Sequence, residues 1–331
     1  MKRFCLLLGI CFLMITSPKV YNAYVLIPGG ENIAFEIYPD GIIVTGSYDV
    51  KYENNVYNPA RDSDIIKGDR IIKIGEYNVT DLNSFTKHFS KYINQGKCEV
   101  EIKRNNRSYI KNLFLIDVDD SIKTGLYVKE RLLGIGTVTY YDPQTMSYGA
   151  LAHEVYDNDS ASIIDVRVGK SYLEEVESIN PSSDGKVGSK NCDITFEEEL
   201  GSIELNSKFG IYGSLDNIPS SYEPIETLSW DKVKIGKAII RTTIKNSKVE
   251  EFEIEIISLK KQEQIDTKGI YFKITDSDLL SISGGIYQGM SGSPIIQDNK
   301  LVGAVTHVNV DDVDHGYGVY IDYMYQMSCY S

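Results

Sequence analysis

Between residues 249 and 257, Glu251, Glu253 and Glu255 interleave one for one with Phe252, Ile254 and Ile256. A period of two puts one kind of residue on each face of an extended chain, so this segment reads as a half-buried strand with an acidic outer face. Its surroundings repeat the theme in shorter form. From 169 to about 264, brief apolar runs such as 209–213 and 237–244 are separated by Gly, Pro, Ser and Asp, with no long helical period. Many short strands at close spacing predict an all-β barrel or sandwich. The 24 tyrosines and the many Ile and Val residues lean the same way. At 331 residues the chain has room for about two domains, each with its own core.

Residues 24–117 differ. Strands are expected at 33–37 and 41–45, then a polar loop at 47–63. Leu82, Phe85, His88, Phe89 and Ile93 recur at helical spacing, which predicts a helix over 81–94 with Asp81 as N-cap and Gly96 as its stop. Segments 98–103 and 108–115 form a hairpin across Asn105-Asn106. The run Ile66-Lys67-Gly68-Asp69-Arg70-Ile71-Ile72-Lys73-Ile74, with the helix soon after it, resembles the strand entry of PDZ domains. The resemblance implies a small α+β domain that takes a peptide by strand addition around Gly30, Ile33, Phe35 and Ile37, and that supports self-association or target engagement.

Lys2-Arg3 precede an uncharged apolar run from Phe4 to Thr16, closed by Ser17-Pro18. A basic start and about 13 apolar residues fit a signal peptide or short signal anchor at 1–23 better than a full membrane span. Ala23 is a possible cleavage point; an uncleaved leader would keep membrane contact. The net charge of −13, with no cluster of basic residues, argues against a nucleic-acid partner. Cys5 and Cys11 lie in the leader, and Cys98, Cys192 and Cys329 have no metal or disulfide spacing. No cofactor and no metal is expected.

Chemistry points to Gly289-Met290-Ser291-Gly292-Ser293-Pro294. The glycines let the backbone turn so that N–H groups near a serine converge on a developing oxyanion. The hairpin that follows has apolar arms on either side of Asp298-Asn299-Lys300. A serine nucleophile needs a base. Of four histidines, His88 sits on the predicted helix and His315 in the acidic loop 311–314. His307 ends the strand after the serine, and His153 ends a strand expected at 148–153 in the first half of the β-rich region. If base and nucleophile come from successive barrels, His153 alone fits. Ser293 is the rival nucleophile, but the residue before Pro294 is restricted to extended conformations. A lipase or esterase would need strand–turn–helix around Ser291, which the pattern lacks.

Gly289-Met290-Ser291-Gly292-Ser293-Pro294 is similar to the nucleophile loop of trypsin-like proteases. Together with Gly134-Ile135-Gly136-Thr137, Tyr148-Gly149-Ala150-Leu151-Ala152-His153, Ile274-Thr275-Asp276 and Leu301-Val302-Gly303-Ala304-Val305-Thr306-His307, it resembles the stage IV sporulation protein B family of serine peptidases. The resemblance implies a mainly β protein: a PDZ-like domain at 24–117, then a trypsin-like double β-barrel peptidase domain at 118–331. It assigns Ser291 as nucleophile, His153 as base and Asp276 as acid; apart from the resemblance, Asp165, which soon follows His153, is a rival acid on general protease logic, and Asp278 is a nearby alternative. Gly289 and Ser291 amides would form the oxyanion hole. It further implies secretion into the space between forespore and mother cell, cleavage of a regulatory protein there, and self-cleavage. The alternative is a non-catalytic adaptor built on the same two modules.

Overall fold

A computed structural model of the chain describes residues 23–329 apart from 106, 161, 220–222 and 263–264. Strands dominate, and the buried apolar side chains gather into three separate cores. The expected leader at 1–23 lies outside the described residues except for Ala23. Among the described residues no helix is long and apolar enough to cross a membrane.

The first core belongs to a curled antiparallel sheet. Its central strand, Asn32–Tyr38, pairs with Leu132–Asp142 on one side and with Val168–Leu173 on the other. Ser147–Ala150, Gly210–Ser214 and Leu205–Ser207 continue it in one direction and Glu198–Ser202 in the other. The two ends meet where Gly201 bridges Leu215 and the Ser202 and Ser214 hydroxyls lie 2.9 Å apart. Ile33, Phe35, Ile37, Val138, Tyr148 and Ile211 fill the interior.

This sheet corrects two expectations. Residues 25–28 and 32–38 belong to the first barrel, not to the α+β module, so the module does not begin at residue 24. Gly30, Ile33, Phe35 and Ile37 are not an open peptide-binding edge. A strand bonded on both sides has no free row of N–H and C=O groups to offer. Gly30 lies at the seam between barrels, donating its N–H to Val138 O at 2.9 Å and accepting from Thr243 Oγ1 at 3.0 Å.

The α+β module is instead an insertion between the first barrel's strands Asn32–Tyr38 and Leu132–Asp142. Its sheet runs Leu126–Lys129, Ile42–Ser47, Arg70–Ile74, Lys97–Arg104, Arg107–Phe114. The helix Leu82–Ser90 lays Phe85 and Phe89 into a core that also holds Cys98, Val100 and Leu113. Asp81 accepts from the Ser84 N–H at 2.6 Å, and Ser84 Oγ in turn accepts from the Asp81 N–H, a complete capping box. The helix stops at Ser90 rather than 94. A short 3₁₀ turn, Ile93–Gln95, follows and ends at Gly96, whose φ of 67° suits a residue without Cβ. The polar stretch 47–63 holds a small hairpin, Val50–Tyr52 with Asn55–Tyr57, and one turn of helix, Pro59–Asp62.

The second barrel is closed. Its strands are Gly236–Lys245, Lys248–Leu259, Ile270–Ile274, His315–Tyr320, Lys300–Val308 and Pro294–Gln297, in that order round the ring. Phe252, Ile254 and Ile256 point inward and Glu251, Glu253 and Glu255 outward, as the alternation requires. Asp298 and Asn299 turn the last hairpin with φ of 49° and 57°, the left-handed pair that matches strand twist in a two-residue loop. Phe272 is fully buried in this core, where truncation to Ala removes about 3–5 kcal/mol. The terminal helix Ile321–Ser328 packs back on the hairpin.

Candidate active site

The loop around Ser291 is held by two tight turns, Met290 N–H to Tyr287 O at 3.2 Å and Ser293 N–H to Met290 O at 2.9 Å. It is zipped to the neighbouring strand by Gly292 N–H to Val305 O and Val305 N–H to Ser293 O. Gly289 and Gly292 take φ of 103° and 98°. At Gly292 the need for glycine is steric as well. A Cβ there would sit 2.0 Å from Thr137 O and 2.6 Å from Leu151 N.

That close approach joins the Ser291 loop to the loop that carries His153. Thr137, buried in the first barrel, donates its N–H to Ser291 O at 3.0 Å and accepts from Leu151 N–H at 3.2 Å. Leu151 lies two residues before His153. The expected strand at 148–153 ends early, at Ala150. Leu151 and Ala152 then turn left-handed, with φ of 68° and 58°. Such a conformation costs each L-residue about 1–2 kcal/mol, here offset by burying both side chains. The turn sends the His153 ring into a cleft of about 420 Å³ lined by Phe35, Ile135, Tyr156, Asn158 and His307 among others.

His153 Nδ1 lies 2.8 Å from Glu154 O. A carbonyl only accepts, so Nδ1 carries the proton and Nε2 is left as the basic nitrogen, the tautomer a general base requires. The main chain thus orients His153. Ser291 Oγ donates to Thr306 O at 3.1 Å and must swing from that carbonyl to deliver its proton to a base.

Asp276 makes no hydrogen bond to His153, whose Nδ1 is taken by Glu154 O. Its carboxylate caps the helix Ser277–Ser283, accepting from the N–H groups of Asp278 at 3.0 Å and Leu279 at 2.9 Å, and from Glu253 N–H at 3.4 Å. Asp165 is exposed and pairs with Arg70 at 3.6 Å, and Asp278 is exposed on the capped helix. Ser293 is fully buried and its hydroxyl has no partner among the described residues, which leaves the half-buried Ser291 as the accessible serine. His88 stacks on Tyr77 in the module, and His315 lies between Asp312 and Asp314.

Gly289 and Ser291 N–H groups donate to no acceptor among the described residues, as an oxyanion hole demands. The peptide plane that carries the Gly289 N–H, and the one after it, are held from behind. Gln288 pairs with the strand Ser189–Cys192, its N–H going to Gly188 O and its carbonyl receiving Lys190 N–H, both at 2.9 Å. Thr137 Oγ1 donates to Gly289 O at 2.7 Å. Lys190 was invisible as a site residue, because Ser189-Lys190-Asn191 reads as an exposed polar strand. It is buried, and desolvation pushes its ammonium down to about 7. His307 faces His153 with ring centroids 5.9 Å apart, and burial, then the like charge of His153, lowers it to about 4.

A half-buried serine on a glycine loop, a histidine whose Nε2 is left to accept and two amides without acceptors among the described residues are groups a serine peptidase uses. Residues 120–325 match the family model described as SpoIVB peptidase S55, and the chain belongs to that family. It is a serine peptidase. No curated protein matches the chain. Among solved structures, the Rv3671c protease in its inactive form is similar at 13% identity with a TM-score of 0.33, covering 59% of this chain and 83% of that one. The active form of that protease, from M. tuberculosis, matches at 13% identity and TM-score 0.33, covering 59% and 72%.

Proposed function

We propose that this peptidase is an endopeptidase acting outside the cytoplasm during sporulation, on a regulatory protein in the space between forespore and mother cell, and on itself. The family and the basic-then-apolar leader support this reading. The observation that carries the chemistry is the Thr137 bridge, which ties the Ser291 loop to the His153 loop. His153 Nε2 takes the Ser291 proton as Oγ attacks the peptide carbonyl. The Gly289 and Ser291 N–H groups hold the oxyanion. His153 then protonates the leaving amine, and water, deprotonated by the same nitrogen, hydrolyses the acyl-enzyme. The full-length Ser291→Ala variant is expected to lose self-cleavage and cleavage in trans while remaining folded. Cleavage at the wild-type rate would overturn the assignment and favour the non-catalytic adaptor.

A further inference from the structure

Lys190 is a lysine buried to 3% exposure at the seam of the two barrels, where its ammonium meets threonine hydroxyls and, among the described residues, bonds no carboxylate. Buried ammonium groups are expensive and normally paired. This one touches the catalytic loop in three ways. Its N–H grips Gln288 O at 2.9 Å. Its aliphatic stem lies under Gly289, where a Cβ would come within 3.0 Å of Lys190 Cδ. Its Nζ donates to Thr137 Oγ1 at 3.3 Å and reaches Thr242 Oγ1 at 3.5 Å. Thr137 Oγ1 passes the polarisation on, donating to Gly289 O at 2.7 Å.

In a planar trans peptide, C=O and N–H point in opposite directions. Holding Gln288 O therefore aims the Gly289 N–H away from Lys190, and holding Gly289 O fixes the next plane. We propose that Lys190 is the positioning residue of the oxyanion loop: it fixes both peptide planes flanking Gly289 and places a positive charge behind the developing oxyanion. The proposal rests on Ser291 being the nucleophile. Fixed dipoles and charges aimed at a developing oxyanion act strongly in a dry site, where removing one donor loses about 10²–10³ in rate. Lys190 acts one residue back, so the expected loss is smaller, about 10–100-fold.

The ammonium is also sensitive to pH. Cys192 on the same strand, itself close to Glu174 and Glu177, is the titratable group whose charge acts on it, and Tyr287 from the loop in turn feels Cys192. The strands Leu132–Asp142 and Gly236–Lys245 meet it with the Thr137 and Thr242 hydroxyls. Its proton is lost as pH rises through about 7, so the rate should fall above that point.

The test is phosphonylation of Ser291 by a fluorophosphonate probe, followed from pH 5.5 to 9 in the full chain, with the maximal rate and the apparent affinity separated. Wild type should show a falling limb near pH 7 in the maximal rate. Lys190→Met should lower that rate about 10–100-fold at pH 6.5, leave the affinity within threefold and erase the limb. Thr137→Val, which keeps the lysine and cuts the relay, should lower the maximal rate in the same way. A Lys190→Met protein with wild-type rates and an unchanged limb overturns the proposal, as does a loss confined to affinity. Should Lys190→Met not fold, Thr137→Val decides by itself: an unchanged maximal rate in that variant overturns the proposal. Equal labelling of Ser291→Ala, or none of wild type, would instead refute Ser291 as nucleophile, and the lysine proposal with it.

Discussion

Gly292→Ala isolates the contact on which the site depends. The added Cβ would stand 2.0 Å from Thr137 O, and ordinary contact begins at 3.4 Å, so the Ser291 loop must retreat by about 1.4 Å. Thr137 cannot yield, because it is a fully buried residue of the strand Leu132–Asp142. The retreat breaks the Thr137 N–H to Ser291 O bond and opens the distance between Ser291 and the loop that carries His153. A misplacement of about 1 Å between reacting groups loses on the order of 100-fold in rate. The expected result is at least that loss in fluorophosphonate labelling, with strain lowering stability by about 1–3 kcal/mol. Gly96→Ala separates the two effects. Gly96 also has positive φ, 67°, but a Cβ there meets nothing within 4 Å. It should lose about 1 kcal/mol and no activity. Both variants are compared by urea unfolding and by labelling rate. Gly292→Ala labelled within threefold of wild type would refute the argument that the close approach assembles the site.

Other outcomes follow from the same geometry. Ser293→Ala removes a buried hydroxyl with no partner among the described residues, so it should label normally and gain up to about 1 kcal/mol in urea unfolding. Asp276→Ala should lose about 1 kcal/mol as the cap of Ser277–Ser283 goes, while Asp276→Asn keeps the cap and the stability; an Asn variant that stays folded but no longer labels would give the carboxylate a part in the reaction. His307 titrates at about 4 in the folded chain, below its ordinary 6.5. The unfolded chain binds that proton first, so stability present above pH 6.5 should be lost as pH falls towards 4. His307→Gln should remove up to about 2 kcal/mol of that slope, read as the difference in unfolding free energy between pH 7 and pH 4.5.

Local patterns carried much of this fold. The alternation over 249–257 survives as the strand Lys248–Leu259 because one of its faces meets a core and the other meets water. Asp81 and Gly96 mark their helix and turn because capping and left-handed stops are settled by neighbours in sequence. The segment 33–37 was legible as a strand, but its partners lie about 100 and 135 residues further on, across an inserted module, and no local signal states that. The helix after Asp276 was legible in principle, since Asp276 precedes Ser277-Asp278-Leu279-Leu280 and Gly284 ends it. At the proposed site, Ser291 and His153 were legible by residue type. The groups that aim them do so through main-chain atoms, Glu154 O, Gln288 O and Gly289 O, whose positions belong to the fold and not to the identity of any side chain.

The inserted module bears on the cleft through the segment that follows His153. Asn206, largely buried, accepts from Val155 N–H and donates to Val155 O and Ile164 O, pinning both ends of that segment to the first barrel. From the other side, Lys129 at the end of the module's strand Leu126–Lys129 bonds Asp157 and Asp159, each at 2.6 Å, and Lys67 reaches Asp159 at 2.9 Å. Gly68 packs so closely that a Cβ would lie 2.5 Å from Asp159 O. Asp157 is buried, so its partner cannot be withdrawn without leaving a charge in a poor solvent. Tyr156 and Asn158, which line the cleft, lie between these anchors. A displacement of the module by more than a hydrogen-bond length would therefore have to break the Lys129 pairs or move that wall of the cleft, and with it the surroundings of His153.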